Sequence, residues 1–156
     1  MIHIPSMVRD RVEILFPVAT VPGTSDTLAT LVKVSNGVAA GGATSIPVAA
    51  GKILRVQSVE ITMRNSAASQ GRVTVTLRSN PAGATVLGSQ SLGQWEVSSQ
   101  ANVVGQCETI VVALPEGYEF SGTMTLGLSF ASTVGTEITS AIMRGYEYTT
   151  PSAALR

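Results

Sequence analysis

Cysteine and histidine occur once each in this chain of 156 residues, as Cys107 and His3. A single cysteine excludes an internal disulfide framework. A single histidine excludes most histidine-based metal sites and triads. Aspartate is nearly as scarce, with Asp10 and Asp26 alone, so no Asp-rich calcium loop can be drawn. Charged residues make up 13% of the chain, against a usual share of about a quarter. Aromatics are 4%, with one Trp. No apolar run approaches the ~20 residues of a membrane-spanning helix. The opening stretch MIHIPSMVRDRVEILF meets charges before an apolar h-region forms, so no secretory signal is expected.

Small β-branched and hydroxyl residues fill the space: 19 Val, 17 Thr, 17 Ser and 15 Gly. A chain this rich in Val and this poor in charge is not expected to be disordered. Its mass of 16.1 kDa suits one domain with a real core. The expected division is an N-terminal arm over 1–10, one β-sandwich domain over 11–150 and a C-terminal tail over 151–156. The formal net charge is zero. Residues 1–78 nevertheless hold eight basic and four acidic side chains, and residues 79–156 hold two and six. That split allows a basic face to meet an acidic face on a neighbouring copy, unless folding interleaves the halves. Nucleic-acid binding is not expected, because it needs a concentrated basic surface with stacking aromatics.

Period 2 dominates the pattern. Val73, Val75 and Leu77 alternate with Arg72, Thr74, Thr76 and Arg78; Met124, Leu126, Leu128 and Phe130 alternate with Thr125, Gly127 and Ser129. Both read as half-buried strands. ETIVVALP, 108–115, is a short apolar run closed by Pro and reads as a buried strand. Two strands change parity. Leu54 and Val56 share one, while Val59, Ile61 and Met63 share the other. Ile138 and Ile142 share one, and Met143 breaks it before Tyr146 and Tyr148. Such switches predict bulges or bends. Turn chemistry marks 80–83, 114–117 and 133–136, and SNG at 35–37 is a hairpin candidate. Loops are expected at 37–45 and 98–106. About eight strands follow: 11–18, 28–35, 53–64, 72–79, 92–98, 108–114, 123–131 and 137–148. Residues 84–91 are a ninth strand or a loop. A short helix capped by Ser25 or Asp26 competes with strand over 24–34, where strand is preferred for the second half. The fold class is therefore all-β, an antiparallel sandwich of jelly-roll type with an extended N-terminal arm.

Chemistry-bearing constellations are sparse. No G-x-S-x-G elbow occurs, and no Gly-rich loop leads from a strand into a helix. Cys107 has nothing basic beside it and is expected to pack as a small apolar residue. Asp10 with Glu13, Glu116 with Glu119, and Glu60 with Glu96 are the carboxylate pairs to test against a glycosidase cleft. No catalytic residue, cofactor or metal is expected. Trp95 shares a face with Val97 and reads as core. Trp95 and Tyr118 are the alternative, a platform for stacking a sugar. Arg144, Tyr146 and Tyr148 share one parity of the last strand, the residue types that interfaces favour. Ile2, Ile4, Met7 and Val8 make the arm too apolar for an idle tail, and Arg9 and Arg11 follow them.

The stretches IPVAAGKILRVQSVEITMRNSAASQGRVTVTLRSNPAGA and LPEGYEFSGTMTLGLSFAST, with the closing strand that holds RGYEY, resemble small structural proteins of tailed bacteriophages. The resemblance spans roughly residues 46–148. It lies in a Pro- and Gly-marked turn, a long strand, and a second strand rich in Thr, Val and Arg. It implies a non-enzymatic virion component, made in the bacterial cytoplasm, of capsid decoration (cement), fibre or tail type; the reading taken is a decoration protein that binds the major capsid protein or another virion protein. It also implies a homotrimer, with no membrane and no nucleic acid as partner. Ile2, Ile4, Met7, Val8, Arg9, Arg11, Arg144, Tyr146 and Tyr148 are then the expected oligomer or capsid interface. The alternative is a receptor- or carbohydrate-binding module of a phage fibre or a bacterial surface protein.

Overall fold

A computed structural model describes residues 9–17, 23–80, 86–100, 102–133 and 136–149. Eleven strands follow one another along the chain: β1 (Arg9–Leu15), β2 (Thr27–Leu28), β3 (Val32–Ser35), β4 (Val38–Ala39), β5 (Ile46–Pro47), β6 (Lys52–Asn65), β7 (Arg72–Ser79), β8 (Gln90–Ser98), β9 (Cys107–Ser121), β10 (Thr125–Ser132) and β11 (Thr136–Thr149). No helix occurs among the described residues. Thr27 and Leu28 are strand, so the helix weighed for 24–34 does not form there.

The strands make two antiparallel sheets. One has six strands in the order β4-β3-β1-β11-β6-β9, and the other runs β2-β10-β7-β8, with β5 also pairing β10. After β8 the chain crosses from sheet to sheet at each step, from β8 to β9, to β10, to β11. That is the interleaving of a jelly roll. It also brings together strands that are far apart in sequence, such as β1 with β11 and β6 with β9. The three two-residue strands β2, β4 and β5 account for eleven strands where about eight were expected.

The alternation forecast from sequence sets the core. Val73, Val75 and Leu77 of β7 and Leu126, Leu128 and Phe130 of β10 face Leu54, Val56, Val59, Ile61 and Met63 of β6 across the interior. All eleven are at most 3% exposed. Each such side chain contributes about 1.5–3 kcal/mol relative to leaving it in water. Phe16 and Phe130 meet edge to face, with centroids 5.3 Å apart.

Both parity switches are bulges. Gln57 is an extra residue in β6, seen as a register shift against β9 and again against β11. It puts Leu54 and Val56 on the same side as Val59 and Ile61. In β11 the shift lies between Ile138 and Ser140, so Ala141 and Met143 face the core and Ile142 faces out, opposite to the parity expected for it. The turn expected at 114–117 is instead a bulge inside β9, since Ala113 pairs Ser58 and Tyr118 pairs Val56. Gly117, with φ 68°, takes the strained step there. The hairpin at SNG does form, with Asn36 and Gly37 at φ 48° and 84° joining β3 to β4.

ETIVVALP is not a buried strand. β9 ends the six-stranded sheet, and Val111 is 67% exposed. An apolar run alone does not distinguish a central strand from an edge. Cys107 is likewise exposed rather than packed.

Candidate interaction surface

The outward face of the six-stranded sheet collects most of the interface residues expected from sequence. Register aligns them in rows across β1, β11, β6 and β9. Arg9 lies beside Tyr148 and Ile53; Arg11 beside Tyr146, Arg55 and Glu119; Glu13 beside Arg144, Ser58 and Ala113; Leu15 beside Ile142, Glu60 and Val111. Arg9, Arg11, Arg144, Tyr146 and Tyr148 therefore share one surface. Ile2, Ile4, Met7 and Val8 lie outside the described residues, as does His3. β1 begins at Arg9, so the sheet takes in the last two positions of the expected arm.

Ion pairs hold this surface in place. Arg144 donates to Glu60 at 2.7 Å and lies 3.5 Å from Glu13, which also accepts from Arg11 at 3.0 Å. The hydrogen bond to Glu60 holds the Arg144 guanidinium above its ordinary range. Arg55 sits 3.3 Å from Glu119, which accepts the Tyr148 hydroxyl at 3.0 Å. Burial, then the bond to Glu119, raises the Tyr148 phenol above its ordinary value. Each exposed pair stabilises little. Together they fix the rotamers of long side chains before any partner arrives. Two shallow depressions flank Arg11. One of about 210 Å³ is lined by Arg11, Gln57, Ser58, Arg144, Gly145 and Tyr146. The other, of about 380 Å³, is lined by Arg11, Glu13, Val34, Asn36 and Gly37.

Gly145 fixes how closely β11 approaches β6 beneath this surface. A Cβ there would lie 1.9 Å from the Arg55 carbonyl oxygen. At the same end, sequence reasoning missed Glu147. It is 4% exposed and meets Lys33 at 2.8 Å and Lys52 at 3.6 Å, while Asp10 lies 3.8 Å from Lys52. Only the position of Glu147 between two outward tyrosines hinted that it faces in.

Charge from the two halves of the chain is interleaved. Lys33 and Lys52 pair with Glu147, Arg55 with Glu119, and Arg72 with Glu96. In each pair the cation comes from the basic half and the anion from the acidic half. The split seen in sequence is thus used within the fold.

Trp95 and Tyr118 also come together. Both are half-buried against the core, at the open side of the sandwich between β8 and β9. A Cβ on Gly93 would meet the Trp95 ring at 2.9 Å and the Tyr118 hydroxyl at 3.3 Å. The indole is therefore laid over Gly93, with part of its surface taken by its own strand.

The carboxylate pairs do not form clefts. Asp10 and Glu13 point to opposite faces of β1, and Glu60 and Glu96 stand on the outer faces of different sheets. Glu116 and Glu119 are both exposed on the bulged end of β9. Among the described residues no group of three His, Cys, Asp or Glu is placed to hold a metal ion.

No family model matches the sequence, and no curated protein matches it. Among solved structures the chain is similar to the Eiger TNF from S. frugiperda, at 11% identity and a TM-score of 0.48 over 94% of each chain. A likeness of that degree carries no functional argument.

Proposed function

We propose that this protein is a non-enzymatic virion structural protein, a capsid decoration protein that seats on the head lattice through the outward face of its six-stranded sheet. One observation carries the reading. Arg9, Arg11, Arg144, Tyr146 and Tyr148 lie on one continuous surface of paired strands, with Arg144, Arg11 and Tyr148 already held by carboxylates. Arginine and tyrosine are enriched at interfaces. Side chains ordered in advance lose less entropy on binding. The partner is the major capsid protein or a neighbouring virion protein.

The test is co-sedimentation with capsids of the virus whose genome encodes this chain. Replacing Arg144 and Tyr146 together by Ala weakens binding at least tenfold, while Trp95→Ala leaves it unchanged. Equal binding by the double variant overturns the assignment of this face.

The second reading is a carbohydrate-binding module of a phage fibre or a bacterial surface protein. It is favoured by the adjacency of Trp95 and Tyr118 at the open side of the sandwich. On that reading a glycan quenches or shifts Trp95 fluorescence, and Trp95→Ala abolishes binding.

A further inference from the structure

We infer that β9 is a self-pairing edge, through which two copies of this chain join their six-stranded sheets in an antiparallel two-fold contact. This goes beyond the capsid reading and does not depend on it.

The register of β6 and β9 determines which backbone groups are free. The Asn65 N–H bonds the carbonyl of Gln106, the residue opposite it, at 2.9 Å. In an antiparallel ladder the bonded positions then recur at every second residue. Residues 108, 110 and 112 thus turn their backbone groups to β6. The N–H and C=O groups of Cys107, Thr109, Val111 and Ala113 point away from the sheet. β9 pairs no other strand among the described residues. The side chains of these four residues are exposed, so no described residue covers them.

Natural edges are blunted by charge, proline or bulges. This one carries no charge from Thr109 to Pro115. Its proline and its bulge lie beyond Ala113, outside the regular ladder.

A second copy fits this edge most completely in one register. With the two-fold axis at Ile110, Cys107 pairs with Ala113 of the other copy, and Thr109 pairs with its Val111. Every outward group from 107 to 113 then finds a partner, in about eight cross-strand hydrogen bonds. Centring on Val111 instead would set Cys107 against Pro115, which has no N–H to give. Charge agrees with the first register. Glu108, the only ionised side chain in the paired segment, falls opposite Val112. On the outward face Val111 meets Thr109 and Cys107 meets Ala113. No like charges oppose one another. Such a contact is isologous and closes at two copies, where the sequence led to an expectation of three.

Light scattering across the micromolar range tests this, with Thr109→Pro and Val111→Lys as variants. Thr109→Pro removes a donor that points away from β6, so the sandwich keeps its own ladder. Val111→Lys alters only an exposed side chain, and circular dichroism confirms that both variants fold. The wild type is a dimer, and each variant weakens it at least tenfold. Ala113→Cys, with the native Cys107, gives a disulfide-linked dimer on oxidation that Cys107→Ser abolishes. A wild type that stays monomeric overturns the proposal. So does a dimer or trimer that both variants leave intact, or an Ala113→Cys protein that does not cross-link.

Discussion

At the scale of single residues, the sharpest constraints belong to side chains that the sequence marks weakly. Gly145 is one glycine among fifteen. Its role becomes visible only when Arg55, ninety positions earlier in the chain, is brought against it. Gly145→Ala is expected to cost about 3 kcal/mol, as overpacking against backbone does, measured by urea unfolding. Glu147 is similar. Period 2 places it opposite Tyr146 and Tyr148, which is correct, but the pattern cannot say that two lysines wait there. Glu147→Ala leaves the mostly buried Lys33 without its 2.8 Å partner and is expected to cost about 3 kcal/mol. Tyr148 gives a pH signature. Its phenol is raised, so the protonated form is favoured by folding. The stability it contributes is complete below the ordinary tyrosine range and is lost as pH climbs through the raised value. Alkaline absorbance titration should show Glu119→Gln lowering that value toward the ordinary one; no change on Glu119→Gln would contradict the bond to Glu119. Cys107 reverses the sequence expectation. Exposed as it is, Cys107→Ser should shift stability by no more than about 0.5 kcal/mol, against the packing loss expected of a buried position.

At the scale of elements, alternation was the legible signal and sheet position was not. Arg72–Ser79 matches β7 residue for residue, because its apolar positions recur without interruption. The bulge at Gln57 was foreshadowed by the change of parity between Val56 and Val59. Ile142 shares the sequence parity of Ile138 but not its face, since the extra residue at Thr139 comes between them, in a stretch with no apolar contrast to mark it. The failure at β9 has a different origin. A run of Thr, Ile, Val, Val, Ala and Leu looks the same whether a strand has two neighbours or one. Only the jelly-roll order places it at the margin. Core elements should behave accordingly. Leu128→Ala, at 0% exposure between the sheets, is expected to destabilise by about 2–5 kcal/mol. Val111→Ala, at an exposed position, should cost well under 1 kcal/mol in the monomer. Chemical denaturation of the two variants separates a central strand from an edge; equal losses would place β9 in the interior.

At the scale of the whole molecule, composition already spoke for an all-β sandwich, and the two sheets agree with it. The surface proposed for interaction is partly legible in the sequence. Shared parity announced Arg144, Tyr146 and Tyr148. What parity could not supply was the neighbouring strand, which adds Arg9 and Arg11 to the same face. The charge split between the halves resolves as interleaving, one of the two readings the sequence allows, because a fold that crosses from sheet to sheet places the cations of one half beside the anions of the other. The function proposed for that face rests on its array of arginine and tyrosine, with Arg144, Arg11 and Tyr148 held by carboxylates. Cryo-electron microscopy of tailed-bacteriophage capsids incubated with the purified protein tests that proposal most directly. The account predicts added density on the head lattice that fits the sandwich with the Arg144–Tyr146 face against the capsid surface. Bare capsids, or sandwiches bound with that face turned to solvent, would contradict it.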